Sequence, residues 1–572
     1  MNESTPQSRN RHGSAPDEQN KLLVERLEDD EQSESIVDRA SNTRHGCIGA
    51  IVVGMVLSFL CLISGTYMLV VKKKRLGAPI SLSTPGQEAL SLAINLVLAL
   101  CTDGMMFVHS ASLRWELYRE HRLEFNTNIR LFTSSKKFGP NKWYINVIAL
   151  VCLILSYAAS SVLFVTLVND EELGHSIMIN ATALVALGLG LVGQALIGIW
   201  CLVASHKHIL TWSSNPLNSA LVLLQSGDLT PRPGRCMQPV HQRHAPAQPA
   251  YPTKAQGSIF RANRTVRYIL GIIWAMALLA IAWPIALVLF LKVDADKAKS
   301  WDVVEEAKCF EFGFNWSPVT YGCHINEVLL ALSPDLNNGN KYNTDYSYGT
   351  QLILCLLFVC LVQGGQTIVL HCLELLVNLS RDEAIWRQAY NESKKASGTQ
   401  RSTNPFYAAV SSWENIILFI AKAVMHWIIG QSLLTVFEWY DPTEYLYESV
   451  SLIPYYHYGI YFYMIYSRLF IYAILAVFLA AFGTYLALKQ PQGCQPAALG
   501  HLQTLVDLID DWKTNEDGRM WWGDKTGSED SVVRHAGTCC GEHELGPIHM
   551  EKYAGGQVAV VSLRTYITDS SV

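Results

Sequence analysis

Eight runs of apolar residues, each about as long as a membrane is thick, constrain this chain more than any other feature. A helix rises 1.5 Å per residue, so crossing roughly 30 Å of hydrocarbon takes about 20 apolar residues. Runs of that length lie near 47–71, 88–112, 143–168, 176–204, 267–292, 350–378, 414–437 and 460–488. A 572-residue chain that is 50% hydrophobic and 16% charged is not composed like a soluble protein of several domains. Inside hydrocarbon each span must satisfy its own backbone hydrogen bonds. The expected fold class is therefore all-α, a polytopic transmembrane helix bundle of about eight spans. Residues 1–46 are polar and charged, which predicts a disordered tail, no cleavable signal peptide, and a first span acting as signal anchor.

Orientation follows from Lys and Arg, which are retained on the cytoplasmic side near span ends. The connection after the second run carries Arg114, Arg119, Arg122, Arg130, Lys136, Lys137 and Lys142, whereas Asn169 to His175 has acids and no Lys or Arg. Residues 205–266 and 379–413 are again basic, 293–350 is mainly acidic, and 438–459 has no basic residue. Both termini are then expected in the cytoplasm. Lys72, Lys73, Lys74 and Arg75 oppose this, and the alternative makes 88–112 re-entrant with the amino terminus outside. Eight full spans is the preferred reading.

Of 14 cysteines, Cys309 and Cys323 fall in the expected extracytoplasmic lobe 293–349, where a disulfide between them is expected. Asn315, Trp316 and Ser317 form a glycosylation sequon there, weakened by Pro318. The other connections read as tethers. Six prolines from Pro231 to Pro252 mark 205–266 as a flexible Pro-rich loop. The tail 489–572 is expected to be irregular beyond one short amphipathic helix near 500–512, from the spacing of Leu502, Leu505, Val506, Ile509 and Trp512. Within it, His535, Cys539, Cys540 and His543 lack a second ligand pair at a standard spacing, so no metal is expected. Palmitoylation is the better reading of Cys539 and Cys540. No cofactor motif is legible, the net charge of -5 is modest, and no basic, aromatic surface pattern indicates nucleic acid, so no nucleic-acid partner is expected.

The stretches Phe107–Ser110, Ser112–Trp115, Leu123–Asn126 and Leu131–Ser134, with Trp521–Gly523 and Arg534–Gly537 in the tail, resemble a group of filamentous-fungal multi-pass membrane proteins of unknown function. The resemblance implies a fungal source and a bundle of spans, and no substrate.

Chemistry is then sought inside the spans, where an ionisable residue costs on the order of 2.5 to 3.5 kcal/mol at a helix centre and is kept mainly where it has a partner or a use. Gln363, Thr367, His371, Glu374 and Asn378 share one face of the sixth run, and Lys422 and His426 one face of the seventh. The second run contributes Asp103, and the fourth Gln194 among several glycines. Counted from the cytoplasmic end, Asp103, Gln194, His371 and Lys422 lie roughly 12 to 15 Å deep, with Glu374 shallower. An ion pair of Lys422 with Glu374 or Asp103 is physically sensible. The layer reads either as a pathway for a small solute, proton or cation, with His371 or His426 as relay, or as polar glue between helices. A receptor or scaffold working through its tails and lobe is the other class. No catalytic motif is legible, so a membrane enzyme is least favoured.

Overall fold

The structure is a computed structural model that describes residues 40–71, 77–168, 176–300, 327–331, 348–390, 397–401, 412–440, 457–527 and 533–554. Three of its helices are short: α5 (Pro216–Gln225), α6 (Ile259–Ala262) and α11 (Leu502–Leu508). The other eight are long and apolar enough to cross a membrane. They are α1 (Ser41–Val71), α2 (Thr84–Arg119), α3 (Trp143–Ser161), α4 (Ala181–Ala204), α7 (Arg264–Ser300), α8 (Tyr348–Arg387), α9 (Trp413–Ser432) and α10 (Tyr466–Leu488). Local signals start two of them. Ser83 accepts from the Gly86 N–H with Pro85 behind it, and Asn180 accepts from the Thr182 and Ala183 N–H groups.

Helix α9 packs on α2, α3, α8 and α10 and is the most buried of the eight, whereas α1 and α7 are the least buried. Its polar side chains therefore face protein. Glycines on α4 let two neighbours approach closely: a Cβ on Gly188 would stand 2.7 Å from Leu62 of α1, and one on Gly190 would stand 2.8 Å from the Cys152 carbonyl of α3. The Ser58 hydroxyl closes the first contact by donating to the Gly188 carbonyl at 2.8 Å.

One end of the bundle is capped by a six-stranded sheet in the order β1-β3-β2-β6-β7-β4. Its strands are β1 (Gly77–Ile80), β2 (Phe164–Val168), β3 (Ser176–Asn180), β4 (Glu327–Ala331), β6 (Leu433–Tyr440) and β7 (His457–Ile465). β2 and β6 run parallel and the other pairs antiparallel. The chain is thus mostly helical rather than all-α. The expected spans 143–168, 176–204, 414–437 and 460–488 each included a strand. Segments such as FVTLV and LLTVFEWY are apolar enough to extend a hydrophobic run, and hydropathy alone does not separate a buried strand from helix. Their β-branched and aromatic content was the available signal.

At the other end the described residues of 205–266 and 489–554 form a folded module, where tethers were expected. Helices α2 and α8 are 36 and 40 residues long, roughly 54 and 60 Å, so both project beyond a 30 Å hydrocarbon layer. Their projecting ends carry Trp115 and Trp386, each fully buried. Around them pack Leu217 and Leu223 of α5, Leu505 of α11, and Trp522 of a three-stranded sheet. That sheet is β5 (Thr399–Gln400), β8 (Arg519–Asp524) and β9 (Ala536–Cys539) in the order β5-β8-β9. The expected amphipathic helix near 500–512 is α11, whose Leu502, Leu505 and Val506 are at most 1% exposed inside this core. No single segment holds enough apolar residues for a core, which is why windows of composition read tethers. Four separated segments supply it together.

Indole N–H groups anchor the module, Trp115 donating to the Thr211 carbonyl and Trp386 to the Pro496 carbonyl, both at 2.9 Å. Glu383 of α8 accepts from the Ala498 and Leu499 N–H groups. Gly500, at φ +70°, follows; a Cβ there would stand 2.7 Å from the Asp382 carboxylate. Residues 1–39, the Lys72 to Arg75 cluster, and Cys309, Asn315 and Cys323 lie outside the described residues. The twelve described cysteines are all free thiols.

Candidate functional site

Four charged side chains from three helices and one connection meet toward the module end of the bundle. Lys422 Nζ of α9 lies 2.7 and 2.8 Å from the two Asp103 oxygens of α2, and 3.3 Å from Glu374 Oε2 of α8. Arg130, from the connection after α2, reaches the same Glu374 oxygen at 3.5 Å. Both cations are buried, Lys422 at 5% exposure and Arg130 at 8%, whereas Asp103 keeps 34% and Glu374 26%. Two carboxylates face two cations, so the group is balanced in charge. Its desolvation is offset only while every partner stays in place.

His371 sits at the hinge of this network. Its Nδ1 is 3.0 Å from Arg130 Nη2 and 3.0 Å from Glu374 Oε2. With a proton on Nδ1 the ring donates to Glu374; without one it accepts from Arg130. Beside it is a polar cavity of about 30 Å³, bordered by Ser110, Asn128, Arg130, His371, Glu374 and Asn378 and large enough for a water or two. The wall formed by residues 127–131 belongs to the module-end connection, so the cavity lies on that side of the charges.

From this cluster a file of buried polar side chains leads toward the sheet end. Tyr157 shares a 3.4 Å contact with Thr102 and stacks on His426 at 3.6 Å between ring centroids. His426 Nδ1 lies 2.6 Å from Gln363 Oε1, and Gln363 donates to Ser161 at 2.7 Å. Ser160 donates to Asn95 at 3.1 Å. The file ends at Arg468 of α10, which donates to the Gln431 carbonyl at 3.0 Å and to Glu88 at 2.9 Å. Arg468 is 1% exposed. The Glu88–Arg468 pair is a second charged site that hydropathy reading missed.

The structure thus brings Asp103, His371, Glu374 and Lys422 together and places Gln363 and His426 beyond them. Thr367 turns back on its own helix, donating to the Gln363 carbonyl at 2.7 Å, which is ordinary for a buried helical threonine. Gln194 donates to Ser156 at 3.1 Å in the packing of α4 on α3. Sequence spacing did not single out Arg130, because a loop arginine carries no helical register.

The module holds a separate titrating group. His535 is 2.8 Å from Asp510 and also bonds to the Cys236 thiol. Burial opposes its charge, but these partners push His535 up to about 9 from an ordinary 6.5. The Asp510 carboxylate resists its own burial through His535, Lys525 and the Thr538 N–H, and stays below the usual range. A folded-state value above the unfolded one adds stability that is complete below pH about 6.5 and is lost as pH rises through about 9. Thermal unfolding of the module is therefore expected to shift to lower temperature between those limits, and His535→Gln to remove most of that slope. An unchanged slope in the variant would exclude this pair as its source.

Compared with known proteins, the chain matches no family model, no curated protein and no solved structure.

Proposed function

We propose that this protein passes a proton or small cation across its membrane, with the Asp103–Lys422–Glu374–Arg130 cluster as the gate at the module end. One observation carries the reading: a buried lysine is shared by carboxylates of two other helices, beside a polar cavity on the module side. A proton taken up by Asp103 cancels its attraction for Lys422, leaves that cation with Glu374 alone, and loosens α2 from α9. His371, able to face Arg130 or Glu374 according to its own proton, suits a relay. The polar file to Glu88 and Arg468 supplies groups for onward passage.

The module end is assigned to the cytoplasm, because the described parts of the basic connections 113–142, 205–266 and 379–413 lie there. Flux in reconstituted vesicles tests the proposal. The native chain is expected to dissipate an imposed pH or cation gradient, and Asp103→Asn to reduce that flux to the level of empty vesicles while keeping its native elution volume. Equal flux in Asp103→Asn would remove the pathway reading. The folded module favours a second reading, that of a receptor or scaffold with a cytoplasmic docking unit; it stands if the native chain carries no flux.

A further inference from the structure

Where β9 ends, two thiols and a carboxylate converge. Cys539 pairs in register with Trp521 of β8, so the sheet fixes its position. The chain then turns at Gly541, and the short 3-10 turn Glu542–Glu544 brings Glu544 back over the strand end, its N–H donating to the Gly541 carbonyl at 3.3 Å. A Cβ on Gly541 would stand 3.1 Å from Glu544 Oε1, so glycine leaves the room this return needs. Glu544 Oε2 ends 2.6 Å from Cys539 Sγ. Cys539, Cys540 and Glu544 each offer one ligand atom, all within 4.8 Å of one another. Cys539 is 6% exposed, Cys540 half-buried and Glu544 exposed, giving the group a closed floor and an open mouth.

Donor atoms held about 2.3 Å (sulfur) and 2.1 Å (oxygen) from a tetrahedral ion lie between three and four ångströms apart, which small side-chain rotations reach from here. We propose that Cys539, Cys540 and Glu544 form a binding site for a thiophilic divalent ion of the zinc class, with three protein ligands and a fourth position open to water. Two sulfurs select against magnesium and calcium. The expectation of no metal rested on the lack of a second cysteine pair, and here a carboxylate five positions after Cys539 supplies the third ligand instead. His535 takes no part, being committed to Asp510.

The test uses the full chain in detergent with its thiols reduced, titrated with cadmium, whose thiolate charge-transfer absorption reports bound sulfur. One equivalent is expected to saturate the band, and zinc but not magnesium to compete it away. Cys540→Ser is expected to remove at least half of the band, and Glu544→Gln to weaken binding by about tenfold or more. Both positions are accessible, so the variants should keep the native elution volume and unfolding midpoint. No band in the native chain, or an undiminished band in Cys540→Ser, overturns the proposal.

Discussion

Lys422→Met is expected to destabilise the bundle by about 3–5 kcal/mol, the usual cost of removing one partner from a buried, paired set of charges. Methionine fills most of the space of the lysine stem, so the loss is electrostatic. Asp103 loses its cation, and Glu374 keeps Arg130 and His371. Adding Asp103→Asn removes the stranded charge while leaving Arg130 on Glu374, so the double variant should recover more than half of the loss. Unfolding midpoints of the native chain, both single variants and the double variant in one detergent measure the coupling. A native midpoint in Lys422→Met would mean that the lysine carries no buried pairing energy.

Trp386→Ala is expected to release the module from the bundle. The indole is fully buried, meets Trp522 edge to face at 6.5 Å, and holds the Pro496 carbonyl. Truncating it costs about 3–5 kcal/mol in lost packing, and the orphaned carbonyl adds about 1–3 kcal/mol. Limited proteolysis should then cut within 489–554 while fragments containing the apolar helices survive. Trp386→Phe keeps one aromatic ring but loses the N–H and part of the buried ring volume, so its loss should be clearly smaller than that of Trp386→Ala. Equal protease resistance in Trp386→Ala and the native chain would show that the module does not hang on this contact.

These two residues also mark what was legible in the sequence. Lys422 stood out because a charge inside an apolar run is costly, and its register with His426 set its face. The same reasoning found Asp103, His371 and Glu374. It did not find Arg130, which approaches from a loop, nor the pairing of Arg468 with Glu88, which are 380 residues apart and each near the end of an apolar run. Trp386 lies beyond the expected end of its span at 378, where α8 continues as helix with Asp382 and Glu383. A hydropathy window ends where charge begins, but a helix does not. Residues within 112–115, 123–126, 521–523 and 534–537 have structural roles: Trp115, Asn126 and Trp522 are buried joints of the module, Arg534 is bound to Asp524, and Gly537 leaves room for the Asp510 carboxylate.

The discontinuous core of the module has a consequence for how the protein is made. Trp115 leaves the ribosome early and Trp386 much later, yet Leu502, Leu505 and Trp522, which cover them, follow the last apolar helix. Until that helix is inserted, the two tryptophans on projecting helix ends have only the α5 side of their cover, and the part supplied by Leu502, Leu505 and Trp522 is missing. Closure of the core thus signals that every preceding segment has been threaded. A chain stalled or cut before residue 489 would display a sticky apolar face for chaperones and degradation machinery to recognise.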